Sequence, residues 1–430
     1  MTPWKGMIVV PYKNMSMTAV EQNLLGEGRA ISSISKPAWT IVVNTGVAKG
    51  LIIPYISCFL FDCNAAILGL AIPIYALRLG ASSFDIGLIG TASGLAYALT
   101  ALNIGRLSSR SSPRLLLLAA SILLSLIPVS YTLVPNFLIL IPLSAFQSFS
   151  YGIYWPTIES LIAGNSSPSA LKNALMRYNI SWSVGWIVGP LLGGFFLSVF
   201  PTSYVFYLIS LFFLSGFVLL ATVRRDHASS QGLRETERGG REHSWEFLKQ
   251  FSFFYGLAFT YAFATRTYIN FFPVYTTFLG IDPFLIGGTL LFIGLTKTLV
   301  FAMSGTLERY LRSAMIPLGL VLIASSMVIT FFGWAPWHFA LACAVLGFGS
   351  GISYSASLST ILGGEKVALG LRAGLFEGAV GIGSILGPLL GGLISQWDQS
   401  YPYAMVGSVC ILIMAISLVS RQIGRRTRQL

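Results

Sequence analysis

Four ionisable side chains, Asp62, Arg266, Lys297 and Glu377, stand inside long uncharged runs of this 430-residue sequence. The runs around them are long and apolar enough to span a membrane, where a charge at a helix centre costs about 2.5–3.5 kcal/mol on insertion scales. Such residues are binding or ion-coupling candidates by default. An Arg stays charged and offers a planar fork to an anion, whereas a carboxylate can take up and release a proton. Asp62 lies about eleven residues into the first run and Glu377 about nine into the eleventh, so each sits roughly 15 Å deep, near a bilayer midplane. Both are proton-coupling candidates, Asp62 first. Arg266, Asn270 one turn beyond it, and Lys297 join Asp62 as candidates for binding a solute. Glu159 lies nearer the end of its run and is expected to pair with a loop Lys or Arg.

Aromatic faces suit rings and cations. Tyr154, Trp155 and Tyr354 are the expected aromatic wall of such a site, with Tyr178, Trp182, Tyr261 and Tyr268 nearby. Other chemistries find no support. The three His are scattered, His227 and His243 in a polar stretch and His338 near a span end, so no metal cluster is expected. No phosphate-binding Gly-rich loop, nucleophile elbow or Cys-x-x-Cys pair occurs. Cys58, Cys63, Cys343 and Cys410 all fall in apolar runs and read as packing residues. An enzyme is not expected, nor is a cofactor or a metal.

The elements that must position these residues follow from composition. The chain is 54% hydrophobic and only 10% charged, against about 25% charged in soluble domains. A span needs about 20 apolar residues. Twelve fit, at 51–76, 84–104, 114–133, 136–162, 174–199, 203–222, 251–278, 284–303, 313–333, 336–362, 368–394 and 401–420. The expected organisation is an N-terminal tail over 1–50, six helices over 51–222, a linker over 223–250, six helices over 251–420 and a basic tail over 421–430. The net charge of +12 does not point to nucleic acid, because the basic residues sit in short loops. Of the 27 Lys and Arg, all but Arg78, Arg266 and Lys297 fall on the side that holds both termini. The positive-inside rule makes that side the cytoplasm of a multi-pass cell-membrane protein.

The two halves repeat. With a shift of 200, Pro73 and Tyr75 fall on Pro273 and Tyr275, and Phe84, Ile86 and Gly87 fall on Phe284, Ile286 and Gly287. With a shift of 199, Gly152-Ile153 falls on Gly351-Ile352. With a shift of 198, Gly189-Pro190-Leu-Leu-Gly-Gly falls on Gly387-Pro388-Leu-Leu-Gly-Gly. Asp62 then maps to Ala262 and Arg266 to Ala66, one turn apart on equivalent faces of the first and seventh helices. Two readings stay open for them: a solute or coupling site, or a structural ion pair across the halves.

On these residues the chain resembles the major facilitator superfamily over roughly 51–422. The run IPIYALRLGASSFDIGLIGTASGLAYALTALNIGRLSSR (72–110) is similar to the first two helices of its drug-exporter and sugar-exporter branches. Gly105, Arg110 and Arg114 match that family's loop signature, whose Asp is Ser109 here. Gly185, Gly189, Gly193 and Pro190, repeated as Gly383, Gly387, Gly391 and Pro388, resemble its fifth-helix motif. The resemblance implies an all-α membrane protein, twelve helices in two pseudo-twofold-related six-helix bundles. It also implies alternating access driven by a proton or another ion, with these glycines and prolines as gating elements. The expected function is proton-coupled efflux of a small organic solute by a monomer. Uptake of an anionic or sugar-like solute, and a non-transporting sensor of the same fold, are the alternatives. The charge asymmetry yields a test of topology. A cysteine placed at Gly232 is expected to react with a membrane-impermeant maleimide only after cells are permeabilised, and labelling of intact cells would invert the assignment.

Overall fold

The computed structural model describes residues 51–108, 111–166, 170–223, 244–311, 314–362 and 369–426. The expected tail 1–50, Arg110, most of the linker and residues 427–430 lie outside them. The described residues form helices and no strand. In chain order these are α1 (Ile52–Arg78), α2 (Ser83–Ser108), α3 (Pro113–Tyr131), α4 (Leu140–Gly164), α5 (Leu171–Val199), α6 (Thr202–Ala221) and α7 (Ser244–Phe278). There follow α8 (Pro283–Ala302), the short α9 (Ser304–Leu311), α10 (Met315–Phe331), α11 (Pro336–Leu362), α12 (Leu369–Ile394) and α13 (Tyr401–Arg426). Nine are long and apolar enough to cross a membrane by length and composition. The aromatic, polar-spotted α7, the 17-residue α10, and α13 are not among the nine. Each of the twelve expected spans falls on one helix of the described residues, and nine of those helices have the length and apolarity of a span.

Two boundaries differ from expectation. α7 begins at Ser244, inside the stretch read as linker, because Glu246, Leu248, Lys249 and Gln250 are good helix formers and continue the helix beyond the apolar run. α9 was not expected, since its residues SGTLERYL are too polar to register as part of a span.

Large apolar side chains cover the surface, and small polar ones join an apolar interior. Leu126, Leu211, Leu99 and Tyr204 are more than half exposed, whereas Ser57, Asn64, Thr260 and Ser353 are fully buried. That is the arrangement a lipid solvent selects, with apolar side chains outward and polar ones as contacts between helices. Many buried hydroxyls bond to the carbonyl four residues back, as Thr157 does to Ile153 at 2.6 Å.

Local chemistry sets the turns, and it repeats. Gly80 and Gly280 take φ of +84° and +73°, values L side chains rarely adopt. Around them Ala81 N–H donates to Ala76 O and Ile281 N–H to Thr276 O, closing a Schellman motif after α1 and after α7. A reciprocal Ser82–Asp85 capping box then starts α2, and Asp282 accepts from Phe284 N–H at 2.8 Å to start α8.

Packing of the halves centres on α5 and α12. α5 lies against both α1 and α8, and α12 against both α7 and α2. A Cβ placed on Gly185 would come within 2.7 Å of Cys63 N and 2.9 Å of Phe59 O, and one on Gly383 within 2.8 Å of Phe263 N and 2.5 Å of Phe259 O. Gly189 meets the Cys63 carbonyl and Gly387 the Phe263 carbonyl in the same way. The other faces of these helices cross between halves: the Pro190 carbonyl abuts Gly287, and the Pro388 carbonyl abuts Gly87. The two-fold repeat is thus present contact by contact. Hydrogen bonds also join the halves at the end away from the termini. Ser198 Oγ donates to Asp282 Oδ1 at 2.7 Å, and Ser83 Oγ to Gln399 Oε1 at 2.8 Å.

Side chains cannot be added at these seams without displacing backbone. Gly189→Leu and Gly387→Leu are each expected to destabilise the purified protein by about 1–3 kcal/mol through overpacking. Gly288, which has open space around its Cα, is the control. Thermal melting in detergent measures the difference, and equal melting of Gly288→Leu and Gly189→Leu contradicts the seam.

Candidate functional site

A cavity of about 390 Å³ lies where α1, α2, α4, α5, α7, α8, α11 and α12 converge. Its size falls in the range of small-molecule sites. The expected residues Asp62, Arg266, Asn270, Lys297, Trp155, Tyr354 and Glu377 all line it. Tyr154 does not. Its ring stacks on Phe61 at 4.1 Å and its hydroxyl pairs with Ser57 at 2.5 Å, so it is fully buried between α4 and α1.

Asp62 is only 7% exposed, and its Oδ2 has no hydrogen-bond partner. The glycine face of α5 packs on the backbone of Asp62 and Cys63, which fixes where the carboxylate emerges. Lys297 and Arg266 line the same cavity. Neither cation makes an ion pair with it among the described residues, so the structural ion pair between Asp62 and Arg266 is not formed. Arg266 projects into the cavity from α7. Asn270 donates to the Arg266 carbonyl at 2.8 Å and sets its Oδ1 against Gly90 of α2.

Lys297 is held differently. Its Nζ donates to the Tyr261 hydroxyl at 3.1 Å and lies 5.0 Å from that ring and 5.3 Å from the ring of Trp182. Tyr261 belongs to α7 and Trp182 to α5, so the ammonium is shared between the halves through cation–π contacts. Tyr354 packs on Tyr261 at 5.2 Å and on Phe301 at 5.9 Å, continuing that aromatic cage.

Glu159 departs from expectation. It pairs with no Lys or Arg among the described residues and lines the cavity, as Glu377 does. Further lining residues escaped the sequence reading, among them Gln147, Tyr151, Tyr131, Tyr97 and Trp186. Tyr131 donates to Gln147 Oε1 at 2.7 Å, while Gln147 Nε2 and the Tyr151 hydroxyl are buried without partners. Among the gating candidates, Arg114 donates to the Ala221 carbonyl at 2.6 Å and so caps the end of α6. Gly105 lies within α2, and Gly185, Gly189, Pro190, Gly383, Gly387 and Pro388 form the seams described above.

The geometry has matches among known proteins. The sequence profile of the Major Facilitator Superfamily matches residues 55–366. A Lactococcus lactis subsp. lactis (strain IL1403) protein named multi-drug resistance efflux pump PmrA homolog is 25% identical over 392 residues, covering 86% of this chain and 93% of its own. Among solved structures, a bacterial homolog of the human lysosomal transporter Spinster, inward-facing and occupied, superposes with a TM-score of 0.68 at 15% identity, over 90% of this chain and 98% of its own. A POT family transporter in complex with a thioalcohol-conjugated peptide gives 0.72 at 13% identity, over 87% and 96%. At such identities the structural likeness is one of fold.

An Arg266 without a partner has a measurable consequence. Arg266→Ala is expected to melt within about 0.5 kcal/mol of the parent, since no buried charge is orphaned. A strongly destabilised Arg266→Ala that is rescued by adding Asp62→Ala would restore the ion-pair account.

Proposed function

The chain belongs to the Major Facilitator Superfamily, and on that premise we propose that it is a secondary active transporter that exports a small amphipathic organic solute in exchange for protons. The observation that carries the reading is Asp62: a buried carboxylate, facing a cavity between the halves, with no protein partner. Such a group can hold a proton or a solute in turn. Arg266 cannot, because it stays charged. Movement of the halves along the α5–α8 and α2–α12 seams would change the distance from Asp62 to Lys297 and Arg266, and with it the carboxylate's affinity for a proton. Trp155, Tyr178, Trp182, Trp186, Tyr261 and Tyr354 give the cavity an aromatic wall suited to an apolar or cationic body. The efflux-pump relative supports the outward direction.

In this reading the transporter acts as a monomer in the cell membrane, with termini and linker in the cytoplasm and two six-helix bundles over 51–222 and 251–420. The unpartnered Arg266 favours a second reading, proton-linked uptake of an anionic solute. Ethidium flux in proteoliposomes under an imposed proton gradient separates them. Wild type is expected to accumulate ethidium against the gradient. Asp62→Asn is expected to lose accumulation yet keep ethidium exchange between equally loaded compartments, and Glu377→Gln to keep both. Full accumulation by Asp62→Asn contradicts the coupling role, and absence of ethidium flux together with gradient-driven uptake of an aromatic carboxylate favours the second reading.

A further inference from the structure

Gln147, Tyr151, Trp155 and Glu159 stand four residues apart on α4, so they form one stripe along the helix, and all four line the cavity. Tyr131 of α3 bonds to Gln147 at one end of the stripe, and Asp62 of α1 lines the same cavity. Three buried polar atoms here lack a protein partner: Asp62 Oδ2, Gln147 Nε2 and the Tyr151 hydroxyl. Asp62 and Gln147 are 7% and 3% exposed. In a membrane interior an unsatisfied polar group is expensive, and these three belong to residues of one cavity wall. Tyr131 donates to Gln147 Oε1, and Gln147 Nε2 is left without a partner.

The repeat shows that the fold does not require these groups. The positions equivalent to Asp62, Gln147 and Tyr151 in the second half are Ala262, Leu346 and Ser350. Ala262 and Leu346 line the same cavity with apolar side chains. One half therefore offers a carboxylate acceptor beside an amide donor and a hydroxyl. The other offers Arg266 and the caged Lys297.

We propose that Asp62, Gln147 and Tyr151 form a hydrogen-bonding subsite that takes a neutral donor–acceptor group of the solute, a hydroxyl or a primary amide, while the aromatic wall holds its apolar body. A hydroxyl fits because it can donate to Asp62 Oδ2 and accept from Gln147 Nε2 or Tyr151 at once. An ammonium fits less well, since it has no lone pair for the Gln147 N–H₂ and would lie close to Lys297. Tyr131 is a positioning residue that holds the amide. The inference rests on the cavity being the transport site, and it deepens that reading by naming what the solute carries.

The test uses two probes with one apolar body, butyltriphenylphosphonium and 4-hydroxybutyltriphenylphosphonium, and measures binding to the purified full-length chain by quenching of tryptophan fluorescence. Trp155, Trp182 and Trp186 report because they line the cavity. Wild type is expected to prefer the hydroxyl probe roughly tenfold, the combined effect of donating to Asp62 and accepting from Gln147 and Tyr151. Gln147→Leu, which installs the second half's own residue, and Tyr151→Phe are expected to reduce that preference to less than about threefold without changing affinity for the butyl probe. Equal binding of both probes by wild type overturns the subsite and leaves the transport cavity standing. So does a preference that survives in both variants. If neither probe binds, the aromatic transport cavity fails and the subsite with it.

Discussion

Close backbone contact along the glycine faces of α5 and α12 is the constraint from which the rest of the arrangement follows. Lipid supplies no hydrophobic force between spans, so helices associate through van der Waals fit. Gly185 and Gly189 let α5 rest on the backbone of α1, and the Pro190 carbonyl meets Gly287 of α8 on its other face. α12 does the same between α7 and α2. Each of these two helices therefore belongs to its own half and to the seam with the other. With the seams this tight, the open volume collects between them, and the polar side chains of α1, α4, α7 and α8 point into it.

The scaffold is symmetric and the chemistry it displays is not. Equivalent backbone positions carry Asp62 and Ala262, Ala66 and Arg266, Tyr97 and Lys297, Gln147 and Leu346. Asp62 and the free hydrogen-bonding groups near it sit on one half, and the two cations, with Glu377, on the other. They remain unpaired within the cavity, which keeps each available to a solute or a proton. Lys297 is the partial exception, because Trp182 reaches it across the seam. Any motion of the halves alters that contact and the field at Asp62 together.

Much of this was legible in the sequence, and for identifiable reasons. Long apolar runs located the helices, and the shifts of 200, 199 and 198 paired them. The Gly-x-x-x-Gly spacing announced both seams, because small residues four apart have one physical use in a membrane helix. Tyr154 was misplaced because neighbouring helix positions point about 100° apart. Trp155 faces the cavity, and Tyr154 therefore faces α1. The four-residue spacing of Gln147, Tyr151, Trp155 and Glu159 was present in the sequence, yet uncharged Gln and Tyr do not stand out in an apolar run as Asp and Arg do. α9 escaped because a short polar helix leaves no hydropathy signal. The absence of an Asp62–Arg266 ion pair could not have been read from spacing, since a shared face does not fix side-chain reach.

The central claim is that the cavity changes sides through relative motion of the halves about these seams. Leu133, after α3, and Trp334, after α10, are exposed at the end of the bundle away from the termini, one on each half. Spin labels at these positions, in a chain with its four cysteines replaced, allow their separation to be measured by pulsed electron paramagnetic resonance. The account predicts a second, longer separation whose population changes with pH or with ethidium. A single separation that holds under every condition in which the same protein transports would contradict it.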